Sequence, residues 1–338
     1  MKHTSTLLTL LVLLCCLGLH AAEHPLVAPA PLVIDPIFGN AGDPTAVFHR
    51  DDKSLWVFYT QRRAGSPANL PFTWYHGTEI GMASSPDGGQ HWFYRGTAEG
   101  LNFQPGKNTH WAPEVIWHGG QYHMFVTFLQ GIPVTATEGA VGGPDINPRH
   151  IIHYTSTNLF QWTTVGRVEL SSDKAIDPVV QPLPDGTWRM WYKDERDGSH
   201  IWAADSRDLN DWKVRGAAVT DRAQEGPFVF RWQGRYWMLC DWWEGLGVYH
   251  SDDADKWTKQ SAKLLDQPGT RRDDKRNGCH CSVITQGDRA FIFYQCGAGV
   301  QAAELKLDNG TLTSNRDAPF HFNPQWSLAP EFRGGGVR

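Results

Sequence analysis

Five short segments spread along this chain share one pattern: a carboxylate or histidine beside a proline, glycine or cysteine, placed where an apolar, aromatic-rich run begins. They are Gly42-Asp43-Pro44-Thr45-Ala46-Val47-Phe48, Trp111-Ala112-Pro113-Glu114-Val115-Ile116, Ala175-Ile176-Asp177-Pro178-Val179-Val180, Glu225-Gly226-Pro227-Phe228-Val229-Phe230 and Gly278-Cys279-His280. A unit that recurs in this way constrains the fold more than composition does, because each copy must bury its apolar face against the next.

Around these segments the chain shows short apolar or alternating runs broken by Gly, Asp, Asn and Pro, with no long 3.6-residue periodicity, which is an all-β pattern. The strongest strands are expected at 54–60, 121–128, 187–192, 235–240 and 289–294, each after a turn such as Pro184-Asp185-Gly186 or Trp232-Gln233-Gly234, so each unit opens with a hairpin. A later strand in each of the first four units ends in a Ser/Asp/Asn turn closed by a tryptophan: Trp92, Trp162, Trp212 and Trp257. Those tryptophans are 70, 50 and 45 residues apart, and four short strands per unit of about 40 to 50 residues is the period of a β-propeller blade. The expectation is a single-domain, five-bladed β-propeller over residues 23–338, with inserted loops at 62–76 and 130–150.

The 31 Lys and Arg residues are scattered and the formal charge is -5, so no basic stripe offers the footprint that nucleic acid requires. Residues 1–22 read as a signal peptide: Lys2 and His3, an apolar run from Leu7 to Leu19, then Ala21-Ala22. That run is short for a membrane span, and the mature protein is expected in the periplasm or outside the cell. Cys240, Cys279, Cys281 and Cys296 remain in the mature chain and are read as buried free thiols. No feature bears on oligomeric state.

In a propeller the innermost strands line a central channel, so residues at their starts converge from all blades. That places Asp43, Glu114, Asp177, Glu225 and His280 around one mouth. Opposed carboxylates serve glycosidic bond cleavage, one protonating the leaving oxygen and another activating water. Indole faces suit sugar rings, and Trp74, Trp111, Trp242 and Trp243 flank the same segments.

Together the five segments resemble those of the five-bladed propeller glycoside hydrolases, chiefly family 43 and its relatives, families 117 and 32, over nearly the whole mature chain. The resemblance implies Asp43 as general base, Glu225 as general acid and Asp177 as the residue that tunes and holds the acid. It implies that His280 contacts an axial calcium or its water shell, a role left open beside that of a hydrogen-bonded axial histidine; no cofactor is otherwise required. Glu114 stands where the family often has an aspartate and is read as substrate-binding, with Trp74, His76, Trp111, Trp242 and His280. Arg271 and Arg272 are candidates for recognising an acidic sugar, against a surface ion-pair network. His76 or His280 could replace Glu225 as acid, as a histidine can in family 117. The implied function is hydrolysis of oligosaccharides from plant or algal polysaccharide, by inversion; a retaining enzyme of the family 32 type and a noncatalytic sugar-binding propeller are the alternatives.

Overall fold

The structure is a computed structural model that describes residues 27–63, 74–132 and 147–322. The expected signal peptide, and most of both expected inserted loops, lie outside the described residues.

Five antiparallel sheets are arranged as the blades of a propeller. Blade one holds β2 (Gly39–Phe48), β3 (Leu55–Arg63), β4 (Ile80–Ser85) and β5 (Phe93–Thr97). Blade two holds β6 (Thr109–His118), β7 (Gln121–Leu129), β8 (His150–Ser156) and β9 (Thr163–Arg167). Blade three holds β10 (Ala175–Pro182), β11 (Trp188–Asp194), β12 (His200–Ser206) and β13 (Trp212–Val219), and blade four β14 (Glu225–Trp232), β15 (Arg235–Asp241), β16 (Leu246–Ser251) and β17 (Thr258–Lys259). Blade five holds β18 (Cys279–Gln286), β19 (Arg289–Cys296), β20 (Gly299–Asp308) and β21 (Thr311–Ser314). A 3₁₀ turn at Glu195–Asp197 is the one helical element among the described residues, and none of their helices is long and apolar enough to cross a membrane.

The segment before blade one closes the ring. β1 (Val33–Ile34), inside the proline-rich lead-in, pairs with β20 through Val33↔Val300 and Ile34↔Gly299. Ala28 N–H also donates to Phe320 C=O at 3.0 Å. Joining the first and last described segments on one blade removes the gap that a linear array of sheets would leave.

Strand position explains the sequence pattern. β11 is buried at every residue and β7 and β15 nearly so, because a second strand is covered on both faces by its neighbours and reads as a continuous apolar run. The outermost β9 and β13 alternate between exposed and part-buried residues. The apolar clusters lie between blades: Phe58, Met82, Val115 and Met124 join blades one and two, and Phe125, Ile151, Met190 and Tyr192 join two and three.

The tryptophan-closed turns also repeat in detail. Ser206 Oγ accepts the N–H of Leu209 at 2.9 Å, Asp208 Oδ1 accepts Asp211 N–H at 2.9 Å, and Trp212 Nε1 donates back to Leu209 C=O at 3.0 Å. Ser156, Asn158 and Trp162 reproduce the arrangement in blade two, and Ser251 and Asp253 reproduce its first part in blade four.

Candidate functional site

All five inner strands break register at one place, between Gly42 and Thr45, Trp111 and Glu114, Ile176 and Val179, Glu225 and Phe228, and Cys279 and Cys281. At each break one residue takes a positive φ: Asp43 (50°), Ala112 (45°), Asp177 (55°), Gly226 (52°) and His280 (21°). These are β-bulges, which re-aim a side chain that a regular strand would point elsewhere. They also correct the phase expected from sequence. Asp43, Asp177 and His280 are equivalent, whereas Glu225 stands one residue before its bulge, at the position of Trp111, and Glu114 two residues after.

At four blade junctions the bulge N–H is held by a side chain on the second strand of the preceding blade. Thr60 Oγ1 accepts Ala112 N–H (2.9 Å), Thr127 Oγ1 accepts Asp177 N–H (3.0 Å), Asp241 Oδ2 accepts His280 N–H (3.2 Å) and Gln295 Oε1 accepts Asp43 N–H (3.3 Å). Those four acceptors are equivalent, each opposite the residue before its own bulge, at Gly42↔Thr60, Trp111↔Thr127, Glu225↔Asp241 and Cys279↔Gln295.

His280 is the hub of the site. Its Nδ1 lies 3.3 Å from Asp43 Oδ1 and its Nε2 3.2 Å from Glu225 Oε1. Burial alone would lower the imidazole's pKa, but Asp43, Glu225 and Asp177 raise it to about 10, so at neutral pH it is a cation between two carboxylates. Gly226 makes this packing feasible: a Cβ there would stand 2.8 Å from His280 Nδ1.

The three candidate acids sit in different fields. Burial pushes Asp43 up, but Arg62, His280 and Thr60 outweigh it and hold it below its ordinary value; Arg62 Nη2 bridges both its oxygens at 2.6 and 2.7 Å. Asp177 is raised to about 6, by burial first and by the nearby Glu225 charge, against His280. Glu225 is held well below the carboxylate range: burial opposes this, but Lys193 and His280 prevail. Its carboxylate accepts from Lys193 Nζ (2.9 Å), Trp243 Nε1 (2.9 Å) and His280 Nε2.

Of the other residues singled out from sequence, Trp74 is at the rim, 37% exposed, with Arg62 over its ring. Trp111 is part-buried beneath Arg149 and donates to Tyr75 C=O at 2.6 Å, with the buried His76 ring 5.5 Å behind it. Glu114 lies deeper in the axial channel, where Thr45 Oγ1 (3.0 Å) and Val180 N–H (3.3 Å) donate to it and burial pushes its pKa to about 8. Trp242 does not face the mouth: it is buried in blade four with Arg222 and Lys259 over its ring. Its neighbour Trp243, turned outward by a φ of 60°, is 49% exposed. Arg271 is engaged away from the mouth, by Asp274 and the Tyr294 hydroxyl, both at 2.9 Å. Arg272 is a surface residue paired with Asp273. The four cysteines are free, three of them buried.

Arg62, Lys193 and Asp241 were not singled out from sequence. For Lys193 and Asp241 the signal lies on the second strands, where Thr60, Thr127, Lys193, Asp241 and Gln295 form one column with a single cation in it; Arg62, opposite Asn40 and two residues beyond Thr60, is outside that column.

An axial calcium does not fit these residues. Asp177, Glu225 and His280 bring donor atoms within 4.8 Å of one another, but both His280 nitrogens are engaged by carboxylates and Lys193 already supplies the cation at Glu225. Calcium takes 6–8 oxygen ligands, and the channel cavity lined by Asp43, Glu114, Asp177, His280 and the prolines of the inner strands measures about 30 Å³, room for a water or two but not for the ion with a water shell.

The five bulged inner strands, with a group of acids gathered at one mouth, define a five-bladed β-propeller. Solved structures share it. A thermostable family 43 glycoside hydrolase superposes with a TM-score of 0.62 at 19% identity, over 86% of this chain and 99% of its own. The family 32 β-fructofuranosidase of Bombyx mori gives 0.62 at 14%, over 86% of this chain and 65% of its own. The α-L-arabinanase of Cellvibrio cellulosa, complexed with arabinohexaose, gives 0.58 at 16%, over 82% and 95%. At these identities the likeness is one of fold. No protein-family profile matches the chain, and no curated protein does.

Proposed function

We propose that the protein is an exported glycoside hydrolase that releases terminal sugars from plant or algal oligosaccharides by single displacement. The observation that carries this reading is the grouping of Asp43, Asp177 and Glu225 about His280, beside the exposed indoles of Trp74 and Trp243.

In this reading Asp43, ionised in the free site, takes a proton from the water that attacks the anomeric carbon. Glu225 gives its proton to the glycosidic oxygen as that C–O bond breaks. Glu225 has to gain the proton first. A sugar ring laid over it removes solvent and favours the neutral acid, and His280 Nε2, 3.2 Å away, is the adjacent proton source. Asp43 and Glu225 bond opposite nitrogens of one imidazole, which favours the wider carboxyl spacing of inverting enzymes, about 6.5–9.5 Å, over the roughly 5–5.5 Å of retaining ones.

The test is a panel of 4-nitrophenyl β-xyloside, α-arabinofuranoside and β-galactoside, with xylo- and arabino-oligosaccharides, and proton NMR of the first-formed anomer. Glu225→Gln and Asp43→Asn should each lower turnover by about 10² to 10⁴-fold with the fold intact. Appearance of the retained anomer removes the inverting mechanism. One observation favours a sugar-binding, nonhydrolytic propeller: three donors already occupy the Glu225 carboxylate. Calorimetric binding of arabinohexaose or xylotriose with no turnover across the panel would select it.

A further inference from the structure

Blade three departs from the pattern that joins the other blades. Where Thr60, Thr127, Asp241 and Gln295 accept the next blade's bulge N–H, blade three carries Lys193, opposite Ile176. An ammonium cannot accept a hydrogen bond. The orphaned N–H of Gly226 goes instead to Asp177 Oδ2 at 3.1 Å, and Lys193, its side chain only 6% exposed, reaches past the backbone to Glu225 Oε2 at 2.9 Å. Glu195 Oε1, 3.3 Å away, and the Trp243 ring hold the ammonium from its other sides. Glu195 is in turn tied to Arg149 at 3.1 Å.

A lysine at this position cannot serve as the acceptor for the bulge N–H, and its bond across the joint between blades three and four ends on a side chain at the mouth. What it does contact is the carboxylate on which the proposed reaction turns. Lys193 on Oε2, against Trp243 and His280 on Oε1, fixes the carboxylate plane from both ends, and a charge-assisted bond is about twice as strong as a neutral one. One lone-pair direction, on Oε2 beside the ammonium, is left for an incoming group.

We propose that Lys193 is a positioning residue for Glu225, fixing the carboxylate so that Oε2 meets the leaving-group oxygen of a bound sugar. This rests on the reading of Glu225 as the proton donor, and its tests separate the two. The crystal structure of Lys193→Met tests the placement without reference to turnover: the Glu225 carboxylate should leave its Trp243 and His280 partners, and a carboxylate that stays in place overturns the proposal.

Kinetics test its consequence. On 4-nitrophenyl glycosides, whose leaving group needs the acid, Lys193→Met should lose about tenfold or more in kcat, as general acid contributions run to 10²–10⁴. On the 2,4-dinitrophenyl glycoside, whose leaving group needs little protonation, it should stay within about threefold of wild type. Lys193→Arg, which keeps the charge, should recover part of the loss. Equal losses on both substrates, or none on either, overturn the proposal. Should Lys193→Met not fold, Lys193→Gln and Lys193→Arg carry the same comparison. A wild type that turns over nothing refutes the hydrolase reading, while the crystal structure still decides whether Lys193 places Glu225.

Discussion

Asp177 Oδ2 accepts the backbone N–H of Gly226 at 3.1 Å, so the candidate tuning residue on blade three holds the residue that follows the candidate acid on blade four. The contact is both a hydrogen bond and a source of charge, and substitution can separate these. Asp177→Asn keeps an acceptor and removes the charge; it should melt near wild type while kcat falls about 10²-fold or more. Asp177→Ala leaves a buried N–H unpaired and should cost a further 1–3 kcal/mol or so of stability. Equal melting points for the two would show that the hydrogen bond contributes nothing.

Gly226 is the position least tolerant of a side chain. It combines a φ of 52° with a would-be Cβ at 2.8 Å from His280 Nδ1. Gly226→Ala should displace the imidazole from Asp43 and Glu225 and abolish activity, with a stability loss of about 1–3 kcal/mol from strain and overpacking. Wild-type activity in a folded Gly226→Ala protein would contradict the role given to His280 as hub.

The site should weaken in alkali. His280 titrates near 10 in the folded protein against an ordinary 6.5, so the stability it contributes is complete below about 6.5 and is lost as pH rises through about 10. Asp43 and Glu225 are lowered and act in the opposite window, losing their contribution as pH falls into the acid range. Asp177, raised to about 6, contributes below about 3.8 and loses that contribution as pH rises through about 6. Thermal melts of wild type against His280→Gln should therefore converge between pH 7 and 10, with wild type the more stable at pH 7. Parallel curves would place the imidazole's proton elsewhere.

Trp242 and Trp243 are adjacent in sequence and should behave oppositely. Trp242→Phe removes a buried indole whose Nε1 donates to Gln224 Oε1 at 2.8 Å and should lower stability by about 1–3 kcal/mol, leaving a buried acceptor short of a donor, with little effect on the Michaelis parameters. Trp243→Ala removes an exposed ring that donates to Glu225; it should melt within about 0.5 kcal/mol of wild type yet raise KM and lower kcat. Calorimetric sugar affinity alongside thermal melts separates the two.

Asp274 is fully buried between Arg316 and Arg271, with the Tyr294 hydroxyl at 2.9 Å. Removing its charge strands two arginines, and Asp274→Asn should cost about 3–5 kcal/mol, the usual penalty for breaking a buried pair. Arg272→Ala, at an exposed ion pair, should change stability by no more than about 1 kcal/mol and leave sugar binding untouched. Selective loss of binding to acidic oligosaccharides in Arg272→Ala would restore the recognition role read from sequence.

Blade number, strand order and the segments in which the bulges fall were legible in the chain because a blade is a local object. Its strands are joined by hairpins, so a Pro-Asp-Gly turn or a Ser-x-Asp-x-x-x-Trp segment acts on neighbours a few residues away. Trp242 and Trp243 show where that ended. Both read as rim tryptophans, and one positive φ sends one outward while the other packs beneath cations. Arg271 read from sequence either as a ligand for an acidic sugar or as part of an ion-pair network, and the fold pairs it with Asp274, which Arg316 also reaches.

The sequence alone determined that the chain repeats and that Asp43, Asp177, Glu225 and His280 lie on inner strands, because period and turn chemistry are written in neighbouring residues. Tertiary structure alone decided which charges face which. Lys193 and Glu225 are 32 residues apart in sequence and on different blades, and β1 closes the ring on β20 from the far end of the chain. Protonation in the mouth follows from those distances, through burial and Coulomb fields that no local pattern encodes.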